Sequence, residues 1–112
     1  MDRGTMINPN DEIQYIVDLI DDYAAADGRL SALESYKSAL KALKMKDSTQ
    51  TSIAGKEMDA FASDEYIQFC EEIEQARIKY TSLKLKIETA KMKVDLFRTL
   101  EASSRFTDKM LK

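Results

Sequence analysis

Apolar residues in the second half of the chain are spaced alternately three and four residues apart. The series starts at Tyr66 and continues to Phe97 without a break in this spacing. Such spacing places side chains on one side of an α-helix, whereas the side chains of a strand alternate with a period of two. The pattern therefore predicts a long helix over residues 64–108, with a heptad seam that packs against another helix. We call these ten positions the seam: Tyr66, Phe69, Ile73, Ala76, Tyr80, Leu83, Ile87, Ala90, Val94 and Phe97.

A second apolar stripe lies on the same predicted helix, roughly opposite the seam. At about 100° per residue, this outer stripe consists of Ile78, Leu85, Met92 and Leu96. A helix that is apolar on two opposite faces is usually covered on both of them. Either a short helix of the same chain covers the outer stripe, or the chain self-associates through it. The length of the stripe favours self-association, because one short segment cannot cover all of it.

The first half of the chain predicts one long helix preceded by a flexible lead. Residues 1–9 form the lead, which ends in the only proline, and Asn10 or Asp11 can cap the helix that follows. The helix is expected over residues 11–46, and the Asp-Gly pair at 27–28 could bend or interrupt it. Its apolar positions keep the three-and-four spacing, more loosely towards the end: Ile16, Leu19, Tyr23, Ala26, Leu30, Leu33, Leu40 and Leu43.

A polar connector with a short helix is expected between the two long helices. The run DSTQTS at residues 47–52 is typical of a loop. The whole connector is predicted to span residues 47–63, with the short helix within residues 52–62. Ser63 or Asp64 can then cap the long helix that follows.

Charge is segregated along the chain, although the overall net charge is only -3. Residues 1–35 and 57–76 carry net charges of -6 and -7, whereas residues 36–56 and 77–112 carry +4 and +6. Folding the chain back at the connector places acidic segments beside basic ones, and like charges disfavour the alternative alignments. The expected fold is a single all-α domain over residues 1–112, an antiparallel helical hairpin or coiled coil that is also oligomeric.

Lysine and arginine residues flank the seam on both sides at intervals of seven. Two copies could not pair through the seam without bringing like charges together, so the acidic first helix is the expected partner. The C-terminal end of the basic flank continues past that partner. It is therefore a candidate site for an acidic protein surface or for phosphates. The candidate residues are Arg98, Arg105, Lys109 and Lys112.

The residue types argue against catalysis and metal binding. Histidine is absent and Cys70 is the only cysteine, which excludes an intramolecular disulfide, a Cys/His zinc site and a Ser-His or Cys-His nucleophile. The acidic cluster at residues 71–74 is expected to be a solvated or charge-paired face. We therefore expect no enzymatic activity, no metal and no cofactor. No apolar run approaches the roughly 20 residues of a membrane span, which favours a cytoplasmic protein without a membrane partner.

Two segments resemble small helical proteins from the early regions of phages and prophages, which are often encoded near recombination genes. The first is AFASDEYIQF, residues 60–69, in which Ala60, Ala62 and Tyr66 match an Ala-x-Ala-x-x-x-Tyr entry to the long helix. The second is FRTLEASSRF, residues 97–106, which follows an aromatic-Arg-Ser/Thr-x-x-Ala-x-x-Arg pattern. Its matching residues are Phe97, Arg98, Thr99, Ala102 and Arg105. The chain lacks the Trp and the Gln-Gln that this group tends to have in the second segment.

The resemblance implies a phage accessory protein that acts by binding. The expected function is that of a non-enzymatic coiled-coil protein that modulates a host macromolecule, and a component of a defence system is one such target. The expected partners are further copies of the same chain and an unidentified host or phage protein, in the host cytoplasm if the chain is phage-encoded. The alternative is a nucleic-acid-binding accessory factor for recombination that uses the basic C-terminal end of the long helix on phosphates.

Overall fold

A computed structural model describes residues 7–111, and all of the regular structure in this range is helical. The three helices are α1 (Pro9–Lys46), α2 (Ile53–Ala62) and α3 (Asp64–Leu111). The long helices α1 and α3 pack against each other as a hairpin. The predicted all-α hairpin with a short helix in its connector is therefore confirmed.

The chain divides into two compact units, which share the long helices. One unit is Ala24–Thr81, which we call the connector unit because it contains α2. The other combines Met1–Tyr23 with Ser82–Lys112, and we call it the terminal unit.

The start of α1 differs from the prediction. Asn8, rather than Asn10 or Asp11, caps the helix, since its Oδ1 accepts the backbone N–H groups of Asn10 at 3.0 Å and Asp11 at 3.4 Å. Pro9 is the first helical residue instead of the last residue of a flexible lead. Proline suits this position because its fixed φ is already helical and the missing N–H would have had no helical partner. Residues 1–6 of the predicted lead lie outside the described residues.

The pair Asp27-Gly28 does not break α1, which is helical on both sides of it and through it. Gly28 has no positive φ, so the backbone there is ordinary helix. A glycine inside a helix costs roughly 1 kcal/mol relative to alanine. Burial of the neighbouring Ala26 and Leu30 offsets this cost, because both side chains are at most 9% exposed.

Burial along α3 follows the predicted seam. All ten seam positions are buried or partly buried, and the only other described residue of α3 that is not exposed is Cys70. On α1 the predicted apolar positions are also buried or partly buried as far as Leu40. Leu43 is the exception at 50% exposed. The seam is therefore the packing face of α3, as its heptad spacing predicted.

The connector unit has a small apolar core with ion pairs at its edge. Leu30, Ile73 and Ala76 form the buried centre, surrounded by partly buried apolar side chains. Arg77 Nη2 donates to Glu34 Oε1 at 2.6 Å, and Lys44 forms an ion pair with Glu65. Residue numbers rise along α1 as they fall along α3, so the two helices are antiparallel here. The surrounding side chains are Leu33, Phe69 and Tyr80.

The helix α2 packs at the loop end of the connector unit. Ser52 caps it by accepting the Gly55 N–H at 3.0 Å, and Ala60 is fully buried. The Phe61 ring lies edge-on to Tyr66, with 5.4 Å between ring centroids. The chain then enters α3 through Ser63, a predicted cap residue, whose Oγ accepts the Tyr66 N–H at 3.3 Å.

In the terminal unit, the C-terminal part of the seam packs against the start of α1. Leu83, Ile87, Ala90 and Val94 are all at most 8% exposed. On the α1 side, the partly buried side chains include Ile16, Leu19 and Tyr23. An ion pair of 3.5 Å joins Lys93 Nζ to Glu12 Oε1. Like the ion pairs of the connector unit, it joins an acidic to a basic segment, as the charge pattern predicted.

Candidate interaction surface

The outer stripe is exposed along its whole length. Ile78 in the connector unit is 56% exposed, and in the terminal unit Leu85, Met92 and Leu96 are 56%, 69% and 49% exposed. Buried seam residues of the same helix, such as Ile87 at 6%, lie on the opposite side. The α2 helix leaves all four residues of the stripe uncovered, so the possibility that a short helix covers it does not hold.

The outer stripe belongs to a longer face of α3 that carries no charge. At about 100° per residue, each member of this uncharged face points within about 40° of the direction of Leu96. Between Ile78 and the end of α3, no acidic or basic residue falls in this sector. Serine and threonine fill the positions that are not apolar. In the terminal unit the uncharged face consists of Ser82, Leu85, Thr89, Met92, Leu96, Leu100, Ser103, Thr107 and Met110.

The last part of α3 makes no core contacts among the described residues. Burial along the seam ends at Phe97, which is partly buried, and every residue from 98 to 111 is exposed. The side of the helix that carries the seam becomes charged in this segment, with Glu101, Arg105 and Asp108. The uncharged face, by contrast, continues to the end of the helix. The apolar face of this C-terminal segment is thus the outer one.

Sequence reasoning missed the C-terminal part of this face. Leu100 is 56% exposed and Met110 is 71% exposed, and neither was assigned to the outer stripe. The signal was nevertheless present, since the three-and-four spacing that links Met92 to Leu96 continues to Met110 when serine and threonine are accepted as members.

The predicted basic site lies on the charged side of the same C-terminal segment. Arg98, Arg105 and Lys109 are all exposed, and none of them takes part in the ion pairs seen between described residues. Lys112 lies outside the described residues. Glu101 and Asp108 share this side of the helix, so the surface has mixed charge instead of a continuous basic ridge.

A groove of about 750 Å³ runs along one side of the connector unit. Ala25, Ala26 and Ala76 contribute small side chains to it, and Arg29 and Lys79 contribute cations. Acidic and amide side chains complete the lining, so charges of both signs line the groove. No serine, threonine or cysteine lines it. The remaining lining residues are Gln68, Glu71, Glu72, Glu74 and Gln75.

Comparison of the chain with protein-family models, with curated proteins and with solved structures gives no match. Between residues 7 and 111, no three acidic or cysteine side chains are grouped so that they could hold a metal ion. Within the same range, no helix has both the length and the apolar character needed to cross a membrane.

Proposed function

We propose that this protein is a non-enzymatic coiled-coil binding protein whose working form is an oligomer joined through the outer stripe. The observation that carries the proposal is the uncharged face of α3, which is exposed from Leu85 to Met110. Among the described residues, eighteen large apolar side chains are exposed, whereas eleven apolar residues are buried. An exposed helix face that carries repeated large apolar side chains and no charge is typical of an interaction site in soluble proteins.

The free energy available from covering this face is substantial. Leu85, Met92 and Leu96 each have about half or more of their surface in water. Completing the burial of such a side chain contributes about 1 kcal/mol, because full burial of leucine or methionine contributes roughly 1.5–3 kcal/mol. A symmetric contact counts each residue twice, so these three positions contribute on the order of 6 kcal/mol to association before its entropic cost.

The C-terminal segment of α3 also favours association. Helices shorter than about 12–15 residues are marginally stable in water on their own. Residues 98–111 make no buried contacts among the described residues, so only their continuity with the packed part of α3 supports them. Covering Leu100 and Met110 with another apolar surface would add the tertiary contacts that stabilise most protein helices.

The resemblance to phage accessory proteins supports a role as a modulator of a host macromolecule, such as a component of a defence system. It rests on the entry to α3 around Ala60, Ala62 and Tyr66 and on the segment that begins at Phe97. A protein of this kind acts by occupying a surface of its target, and oligomerisation raises its apparent affinity when the target is also repeated. The host cytoplasm is the corresponding location.

The oligomer is tested with the double variant Leu85→Lys, Met92→Lys. We expect the wild-type protein to be a dimer or larger by light scattering at both low and high salt, because an apolar interface is not screened. The double variant is expected to be a monomer with unchanged helicity, since two lysines on the stripe place charges in the contact.

The matched control is Ser104→Lys, Glu101→Gln, which changes the net charge equally but lies outside the uncharged face. This control is expected to keep the wild-type molar mass. A Leu85→Lys, Met92→Lys protein that keeps the wild-type mass refutes self-association through the stripe.

Nucleic-acid binding is the second candidate function. The favourable observation is that Arg98, Arg105 and Lys109 are exposed and without ion pairs among the described residues. Binding through phosphate contacts weakens steeply as the salt concentration rises. Each contact steepens the fall of log affinity with log salt, whatever the DNA sequence. If this function holds, Arg98→Ala with Arg105→Ala weakens binding to all DNA sequences and flattens the salt dependence. Unchanged DNA affinity in this double variant excludes phosphate binding at these positions.

A further inference from the structure

We propose that the partner on the uncharged face is a second copy of this chain, bound parallel and in register. This inference rests on the proposed self-association and specifies its geometry. The two α3 helices would lie side by side from Ser82 to Met110, with each residue of the uncharged face beside its own counterpart. This part of α3 belongs wholly to the terminal unit.

The flanks of the uncharged face carry opposite charges. At about 100° per residue, Lys86 and Lys93 lie 60–80° to one side of Leu96, and Glu88 and Asp95 lie 80–100° to the other. All four side chains are exposed. The charges nearest the face are therefore basic on one side and acidic on the other. On the acidic side Lys84 and Lys91 lie farther from the face, at 120–140° from Leu96.

This arrangement of charge distinguishes a parallel from an antiparallel partner. In a parallel helix pair, each flank meets the opposite flank of the partner, so the basic edge faces the acidic edge. The expected contact joins Glu88 to the partner subunit's Lys93, five residues further along, and the two-fold symmetry makes the same pair twice. In an antiparallel pair, the basic flank faces the partner's basic flank and the acidic flank faces the partner's acidic flank. This tends to bring lysine near lysine and Asp95 near the partner's Asp95. Charge complementarity therefore favours the parallel arrangement.

Lys93 can make this contact without losing its contact within the chain. Its side chain is 51% exposed, and its Nζ lies 3.5 Å from Glu12 Oε1. An ammonium group has three N–H donors, so a second carboxylate can share it. Because the Lys93 side chain is half exposed, a second carboxylate paired with it contributes little to affinity. The charge pairing therefore selects the orientation more than it adds affinity.

Parallel pairing also accounts for the C-terminal segment. Leu100 and Met110 would each meet the same residue of the second copy, which covers the apolar face that is otherwise bare beyond Phe97. The charged sides of the two segments, with Arg105 and Lys109, would then lie at the same end of the dimer. A target engaged there would meet two identical surfaces at once, which gives the binding protein two-fold valency.

The orientation is tested by cysteine cross-linking at Thr89 and Ser103, in a Cys70→Ser background. Both positions are central on the uncharged face, exposed in the single chain and small enough to replace without creating a cavity. They are 14 residues apart, which corresponds to about 21 Å along the helix. A disulfide needs Cα atoms within roughly 7 Å of each other. In an antiparallel pair, a residue can lie beside its own counterpart at only one height along the helices. Such a pair therefore cannot form the disulfide at both position 89 and position 103.

We expect Thr89→Cys and Ser103→Cys, each oxidised alone, to shift from monomer to disulfide-linked dimer on a non-reducing gel. Glu101→Cys is the control, because Glu101 is also exposed but lies on the charged side of the segment. This variant is expected to remain monomeric on the gel. Light scattering of the reduced proteins verifies that each variant still associates.

The outcomes separate the inference from the proposed function. A disulfide-linked dimer that forms only when the Thr89→Cys and Ser103→Cys proteins are mixed overturns the parallel arrangement and leaves self-association intact. Dimers by light scattering without any cross-link also overturn it, because another face or register then joins the copies. A reduced protein that is monomeric by light scattering at all concentrations overturns both the inference and the proposed oligomer.

Discussion

Replacing Ile87 by alanine tests the assignment of inner and outer faces on α3. Ile87 is 6% exposed in the seam, whereas Leu85, two residues earlier on the same helix, is 56% exposed on the outer stripe. Both residues are aliphatic and equal in size, and both lie in the terminal unit. Leu85→Ala is therefore a matched control, since alanine favours helix at either position.

The expected difference follows from the buried fraction of each side chain. The Ile87→Ala change removes three buried carbon groups at about 0.8 kcal/mol each. The cavity that is left adds to this, so the loss in free energy of unfolding is expected to be about 3 kcal/mol, within the roughly 2–5 kcal/mol seen for such core changes. Leu85 is less than half buried in the single chain. The same calculation therefore predicts that Leu85→Ala lowers the free energy of unfolding by about 1 kcal/mol.

The assay is urea unfolding followed by circular dichroism at 222 nm, repeated at several protein concentrations. The Ile87→Ala loss is expected at every concentration, because the seam packs within one chain. The Leu85→Ala loss is expected to grow with protein concentration as the oligomer forms, since only the oligomer buries Leu85. Equal losses for the two variants in dilute protein would refute the assignment of the two faces.

Two glycine substitutions are expected to have opposite effects on thermal stability. Gly28→Ala should raise the free energy of unfolding by about 0.5–1 kcal/mol, because a Cβ at Gly28 has no heavy atom within 4 Å and the φ angle is already helical. Gly55→Ala should lower it, because the new Cβ would lie 2.9 Å from Gln50 Cβ and 3.0 Å from Ser52 Oγ, the oxygen that caps α2. Melting curves measure both changes, and a destabilised Gly28→Ala or a stabilised Gly55→Ala contradicts the geometry.

The seam and the direction of the hairpin could be predicted from the sequence because both depend on features that repeat. Ten apolar positions from Tyr66 to Phe97 keep one helical phase, and no other regular structure can bury them together. Charges alternate in sign between consecutive segments, so one alignment of the helices places opposite charges together. The ion pair between Glu34 and Arg77 shows this alignment in the folded chain.

Single-residue signals were less reliable than repeated ones. The cap at Asn8 was missed because Asn8, Asn10 and Asp11 are all good capping residues. The sequence does not show which of the three caps the helix. The sequence left open whether Gly28 interrupts α1, and the helix is continuous there. The helix-breaking preference of one glycine is smaller than the free energy gained by burying Ala26 and Leu30. When the conformational preference of a residue and the free energy of packing are this close in size, tertiary packing decides the local structure.

The amino-acid sequence by itself determined that α3 is apolar on two opposite faces, because helical periodicity is a property of spacing alone. Only the tertiary structure decided which face is open. It places α2 at the loop end, where Ala60 of α2 is buried, and it leaves the outer stripe exposed. It also shows burial of α3 ending at Phe97, so that residues 98–111 have only an outer apolar face. The physical reason is that exposure depends on where other segments pack, and the spacing of residues along one helix contains no information about that.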